Sequence, residues 1–332
     1  MESATTRPGT LRRWMLVAGA ASGAGYGLLA RLLFAKLLPD SFGVMAAAFL
    51  FLVPFVLGFV TVFLGESAGR WSWPVRLFYP WIPALLALAC ALAIAWEGII
   101  CIFLWLPLVL VMSLLGGLVA GLLWPLRRRS RSLSGTLLLG CALRPYGVAP
   151  LARRRGLPRE VRLVPTEITI RAPRDVVWRN IERVPAIRPD EQTFALTHLI
   201  GFPKPIEATL SHEGVGGIRH ATFEGGVLFV ETVTAWEPGR RLAFTIRADT
   251  ANIPSRTLDE HVTVGGPFFD VLSGEYRLEP IDARTTVLHL SSRHRLSTQL
   301  NGYAGLWTTF ILRDTQDYIL RVIRKRCERE VG

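Results

Sequence analysis

Hydrophobic and polar positions divide this chain into two unlike stretches. In the first, apolar residues come in long blocks, and residues 42–65 and 98–126 contain no charged side chain. A helix rises 1.5 Å per residue, so about 20 such residues cross the hydrocarbon of a bilayer. The pattern predicts a four-helix transmembrane bundle within 1–126, with spans over about 11–34, 42–65, 79–96 and 99–124. Trp14, Trp81 and Trp96 stand near span ends, where aromatic anchors sit. Pro54 is placed to kink the second span. The third is short, and Glu97-Gly98 makes a tight turn into the fourth. Gly19, Gly23 and Gly27 recur every four residues along the first span, and Gly116, Gly117 and Gly121 line the fourth. Small residues on one face let a neighbouring helix approach closely, which makes the first stripe a candidate for self-association. The plainer reading is that glycine is common in membrane helices.

From 163 onward the period changes. Glu167-Ile168-Thr169-Ile170-Arg171 alternates as a half-buried strand does. Ala172-Pro173 then opens a short helix carrying Val177, Trp178 and Ile181, which Pro185 stops. Strand-like runs follow at 193–200, 206–212, 217–223, 227–235 and 241–247, separated by glycine-rich and Pro-Gly turns. A hairpin is predicted over 271–279 and 285–294. In its second strand Val287, His289, Ser291 and Arg293 share one face, and Leu288, Leu290 and Ser292 the other. A long helix over about 303–328 closes the chain. The order predicts an α+β domain over 163–330, a curved antiparallel sheet covered by its C-terminal helix.

Charge changes the picture at the join. The 332-residue chain carries +12, from 38 basic and 26 acidic residues, and its only lysines are Lys36, Lys204 and Lys325. Ten arginines fall between 127 and 162, opposed by Glu160 alone. A basic block just after a membrane helix marks the cytoplasmic side and contacts anionic headgroups, which assigns Arg127, Arg128, Arg129, Arg131, Arg153, Arg154 and Arg155 to the membrane surface. Nucleic acid is not the expected partner. Arg7, Arg12, Arg13, Arg70 and Arg76 fall on the same side as that block if the chain crosses four times. Arg31 and Lys36 fall on the other and weaken the argument. The basic, then apolar start resembles a signal peptide, but the further apolar runs fit a retained first helix better. Within the 127–162 linker, residues 133–143 read as an interfacial helix ended by Arg144-Pro145. A crossing there would move the C-terminal domain to the other side. The expectation is a multi-pass bacterial cytoplasmic-membrane protein with that domain in the cytoplasm.

Chemistry-bearing motifs are few. Cys90, Cys101, Cys141 and Cys327 form no close pair, and His198, His212, His220, His261, His289 and His294 have no metal-ligand spacing. No phosphate loop, dinucleotide fingerprint or nucleophile elbow occurs. No cofactor or metal is expected. No Asp, Glu or His lies at the centre of a span, which argues against a transporter.

The Ile168-Thr169-Ile170-Arg171-Ala172-Pro173 segment, with Val176, Val177, Trp178 and Ile181, resembles the opening of the SRPBCC superfamily, the polyketide cyclase-dehydrase and START-like helix-grip proteins. Phe202-Pro203-Lys204-Pro205, the turn Gly214 to Arg219, the hairpin Trp236 to Phe244 and the long last helix agree with it. The whole chain looks like bacterial membrane-tethered members. The resemblance covers about 164–328 and implies an enclosed pocket for lipids or other hydrophobic molecules, with no transferable catalytic residue.

Candidate pocket residues are Trp178, His220, Phe229, Glu231, Phe244, Phe269, His289, Trp307, Phe310 and Ile311. For the aromatics, core packing is the plain alternative. His220 and His289 could move protons near neutral pH, or simply bond a neighbour. Glu231 stands in an apolar run; buried, it needs a partner, and an outward side chain is the plainer explanation. Three readings follow: non-covalent binding of a hydrophobic small molecule at the membrane, a regulatory module whose soluble domain binds a protein, and a cyclase, dehydratase or hydrolase needing a polar cluster deep in the pocket.

Overall fold

The computed structural model describes residues 8–37, 47–66, 71–129, 131–153, 157–249 and 263–332. The chain forms two compact units, Met1–Gly156 and Leu157–Gly332.

In the first unit, α1 (Pro8–Leu37) precedes a π-helical turn (Ala48–Leu52) that runs into α2 (Val53–Gly65). Next come α3 (Trp73–Phe78), α4 (Trp81–Ala93), α5 (Ile99–Arg129) and α6 (Arg131–Arg153). Among the described residues, four stretches are long and apolar enough to cross a membrane: Arg13–Ala35, Ala48–Gly65, Trp73–Ala93 and Ile99–Pro125. Residues 42–46 of the expected second span lie outside the described residues. The third span is not short, because α3 and α4 continue one another from Trp73 and end at Ala93. The π-helical turn lies immediately before Pro54. Having no N–H, this proline cannot serve the Leu50 carbonyl four residues back. The Trp105 Nε1–H from α5 donates to that carbonyl at 3.2 Å.

Glycine sets the helix spacing. A Cβ at Gly116 would overlap the Phe55 carbonyl of α2, and one at Gly58 would overlap the Ser113 carbonyl of α5. The Gly19, Gly23 and Gly27 stripe faces Thr61, Gly65 and Leu57 of α2 in the same chain, so it is spent on internal packing and gives no support to self-association.

Two arginines of this unit are drawn into ion pairs. Arg76 Nε meets Glu66 Oε1 at 2.7 Å, with both side chains essentially inaccessible to solvent. Arg31 Nε meets Glu97 Oε1 at 2.5 Å, so one of the two charges on the opposite side, Arg31 but not Lys36, is neutralised locally. Helix α6 outruns the expected 133–143 stretch, starting at Arg131 and passing through Arg144-Pro145 to Arg153. It lies along the bundle. Leu138 and Cys141 pack on the Phe59, Phe63 and Trp71 cluster, Tyr146 stacks near Phe34 (5.2 Å between ring centroids), and the Tyr26 hydroxyl donates to the Ala142 carbonyl. The side chains of Arg127, Arg128, Arg129, Arg131 and Arg153 are outside the described set, as are residues Arg154 and Arg155 altogether.

The second unit is a helix-grip fold. Strands β1 (Glu160–Ile170), β2 (Pro205–Leu210), β3 (Ile218–Phe223), β4 (Leu228–Glu237), β5 (Arg241–Asp249), β6 (Phe269–Asp282) and β7 (Thr285–Leu296) form one antiparallel sheet, ordered β1-β7-β6-β5-β4-β3-β2. Bulges in β2, β4 and β6 curl it around α9 (Asn301–Val331). Helix α7 (Arg174–Glu182) and the single turn α8 (Leu196–Leu199) lie between β1 and β2. The strand expected over 193–200 is therefore α8. Thr197, through both its N–H and its hydroxyl, donates to Asp314 Oδ2 of α9 at 2.8 Å, which draws the segment onto the helix and away from the sheet.

Adding a side chain at the α2–α5 contact should cost stability. Gly116→Ala is expected to lower the thermal midpoint of the detergent-solubilised protein by several degrees, in line with an overpacking cost of about 1–3 kcal/mol. Gly140→Ala, where a Cβ meets nothing within 4 Å, should leave that midpoint unchanged or raised.

Candidate functional site

The register of the sheet determines which side chains enter its concave face. Leu288 pairs with Leu278, Leu290 with Tyr276, Ser292 with Gly274 and His294 with Val271. Across β5 and β4 the same face carries Leu242, Phe244, Ile246 and Ala248, then Val233, Glu231 and Phe229. Gly274 is required here, because a Cβ would stand 2.6 Å from the Phe244 ring.

The concave face is filled at one end and open at the other. Leu242, Tyr276, Leu278 and Leu288 are buried with Val177 and Ile181 of α7 and Leu320, Ile323 and Cys327 of α9. Toward the other end, Phe229, Ile246, Ala248 and Phe269 face inward but stay only half-buried. Helix α9 rests on β1, with further contact to α7 and β7. Its first turns leave Phe310 38% and Leu306 71% exposed, with Trp307 half-buried between Tyr303 and Phe310.

The candidate residues separate accordingly. Trp178 and Phe244 belong to the packed core, Trp178 edge-on to Trp236 at 5.2 Å. Phe229, Phe269, Trp307, Phe310 and Ile311 border the open end, where Ile311 is buried. His220 is exposed on the convex face. His289 also points outward, between Glu167 (3.1 Å) and Glu279 (3.2 Å). Alternation explains both: the leucines of β7 face the core, so His289, one position out of phase, faces away.

Glu231 is buried, against the plainer expectation, because it has a partner. Arg219 Nη1 meets Glu231 Oε2 at 2.6 Å. The same guanidinium donates to the Ile181 and Glu182 carbonyls at the end of α7 and lies over the Phe244 ring at 5.4 Å. Burial pushes the Glu231 carboxyl up, with the Arg219 charge pulling against it. The pair caps α7 and ties it to the sheet.

Inward polar residues outside the candidate pocket set form a seam beneath α9. Thr166 Oγ1 lies 3.0 Å from Gln316 Oε1, Gln316 Nε2 donates to Ser292 Oγ at 2.6 Å, and His294 Nε2 pairs with Thr308 Oγ1 at 3.1 Å. Their signal was parity, since His294 and Ser292 share the phase of Leu288 and Leu290. Burial, reinforced by the nearby Arg162 charge, pushes the His294 pKa down to about 4. Among the described residues no group of three or more His, Cys, Asp or Glu could hold a metal ion; His261 lies outside them.

No protein-family profile and no curated protein sequence matches this chain. Solved structures resemble about half of it. An aromatase/cyclase from Streptomyces sp. R1128 is 17% identical over 52% of this chain and 97% of that one, with a TM-score of 0.35. A START superfamily protein from Mycobacterium smegmatis is 9% identical over 51% and 98%, with a TM-score of 0.34. A protein from Thermus thermophilus is 14% identical over 52% and 100%, with a TM-score of 0.33. Scores of this size carry no functional argument. The helix-grip description rests on the strand order and on α9.

Among the described residues, two groups of this domain are lowered far enough to dominate its sensitivity to acid. A neutral, buried His294 resists protonation until about pH 4, whereas the unfolded chain takes up that proton near 6.5. The unfolded state thus binds more protons between those values, and stability falls as pH drops from 6.5 to 4. Glu191 is held down to about 2 chiefly by the Arg326 guanidinium, which bonds both its oxygens at 2.9 and 2.8 Å. Its contribution, on the order of 3 kcal/mol, is complete above 4.5 and is lost as pH falls toward 2. Denaturant midpoints read by tryptophan fluorescence should fall in two stages. His294→Gln should shrink the upper stage, to which His198, also lowered by burial, contributes the remainder, and leave the lower one unchanged.

Proposed function

We propose that the helix-grip domain binds a hydrophobic small molecule without covalent chemistry while tethered to a bacterial cytoplasmic membrane. The observation that carries this reading is the change in packing along the concave face. One end is closed by α7 and the second half of α9. At the other, Phe229, Ile246, Ala248 and Phe269 face inward only half-covered, opposite Trp307 and Phe310. Inward apolar residues left partly wet cost free energy that an apolar guest recovers, roughly 25 cal/mol per Å² covered. The polar seam of Thr166, Ser292, His294 and Gln316 offers hydrogen bonds to a guest's polar end. In this reading the arginines that follow α5 meet lipid headgroups. The exposed Phe194 and Leu199 around α8 favour a second reading, a docking face for another protein.

The test is extraction of the full-length, detergent-purified protein and mass spectrometry of what it releases. The wild type is expected to yield a hydrophobic compound near one per chain, and Ala248→Trp, which fills the open end, to release at least fivefold less with unchanged circular dichroism. Equal extracts from both proteins would overturn the reading.

The side of the membrane is part of the proposal. At 23 residues, α6 is about 35 Å long. It runs from the Phe63 end of the bundle to the Phe34 end, with exposed Leu139, Leu143 and Val148 on its outer face. We propose that α6 makes a fifth crossing beside the four apolar spans, which puts the C-terminal domain opposite the N-terminus; four crossings alone keep it in the cytoplasm. Paired reporters fused after Gly332 are expected to show phosphatase activity and no cytoplasmic fluorescence. The reverse pattern would restore four crossings.

A further inference from the structure

The first unit contains a cavity of about 40 Å³ between α1, α2, α4 and α5. A water molecule needs roughly 10–15 Å³ by the same measure, so the space is several times larger than a hydration site. Its walls are apolar: Gly27, Leu57, Ala87, Ala91, Trp105 and Val109 are among them. Along α4 the lining runs from Ala84 to Ala91, about 10 Å at 1.5 Å per residue. One end is different. There Arg31 and Glu97 form the lip, held together by the 2.5 Å ion pair, with Arg31 Nη2 also bonded to the Trp96 carbonyl at 3.2 Å. Both side chains keep some solvent exposure, 16% and 8%. The lip therefore sits where α1 ends and α4 turns into α5, at the boundary of the spans, and the apolar depth lies within them.

We infer that this cleft is a lipid site. It takes a few methylenes of one acyl chain, the rest of the chain lying in the surrounding hydrocarbon, from a bilayer phospholipid whose headgroup carries both a phosphate and a primary amine. Hydrocarbon surrounds the cleft, so its natural occupant is a lipid chain. Charge at the lip selects the headgroup. The phosphate faces the Arg31 guanidinium and the ammonium faces the Glu97 carboxylate, which matches the two signs already held side by side. A headgroup with only a phosphate meets repulsion from Glu97, and the mismatch discriminates against it. The site stands on the membrane unit alone and does not depend on the ligand reading of the helix-grip domain.

The experiment is native mass spectrometry of the full-length protein released from micelles containing equal amounts of phosphatidylethanolamine and phosphatidylglycerol. The wild type is expected to retain one phosphatidylethanolamine per chain, favoured at least fivefold over phosphatidylglycerol. Glu97→Gln leaves Arg31 without its counter-charge and should reverse that preference. Ala87→Phe keeps the ion pair and fills the cleft, so retention of either lipid should fall to background. Leu122→Phe, on a lipid-exposed face, should behave as wild type. Equal retention of both lipids by the wild type, or full retention by Ala87→Phe, would reduce the cleft to a gap in packing.

Discussion

A polar group withdrawn from water must find its partner inside the chain, and this requirement shapes both halves of the molecule. In the membrane half, the Leu50 carbonyl left idle by Pro54 is taken up by Trp105, and the Tyr26 hydroxyl goes to the Ala142 carbonyl. In the water-facing half, the last carbonyls of α7 are taken up by Arg219. An unsatisfied buried group costs about 1–3 kcal/mol, comparable to a sizeable part of a domain's net stability. Each such pairing therefore selects one packing over its rivals.

The same requirement governs charge. Arg76 and Arg31 would be costly in hydrocarbon alone, but each meets a carboxylate, Glu66 or Glu97. Arg219 would be costly in the sheet core without Glu231. Removing one member of such a pair leaves the other uncompensated, which is why the pairs hold helix ends and turns in register. Of these three pairs, Arg31–Glu97 is the one that borders the apolar cleft, and that position gives it something further to recognise.

Much of the architecture was legible along the chain. Uncharged blocks announced the spans, because hydrocarbon excludes charge over a length that a helix must match. Alternation announced β2 to β7, because a curled sheet has one dry face. The stretch at 193–200 misled, since Leu196 and Ile200 alternate with polar residues as a strand's would, and only the bond from Thr197 to Asp314 turns it into α8. His289 misled for a related reason. A histidine on a strand has chemistry on either face, and the phase of Leu288 and Leu290 was the better guide.

By itself, the sequence determined the division into a membrane half and a water-facing half, the number of apolar spans, and the succession of β1 to β7 with α7 near its start and α9 at its end. These follow from local periodicity and from the transfer of side chains between water and an apolar medium. Tertiary structure alone decided that the Gly19 stripe packs inward on α2, that α6 runs the length of the bundle, that Glu231 is buried against Arg219, and that Arg31 meets Glu97. Each of these joins residues far apart in the chain, and no local pattern encodes which distant charge or helix face will arrive to complete the contact.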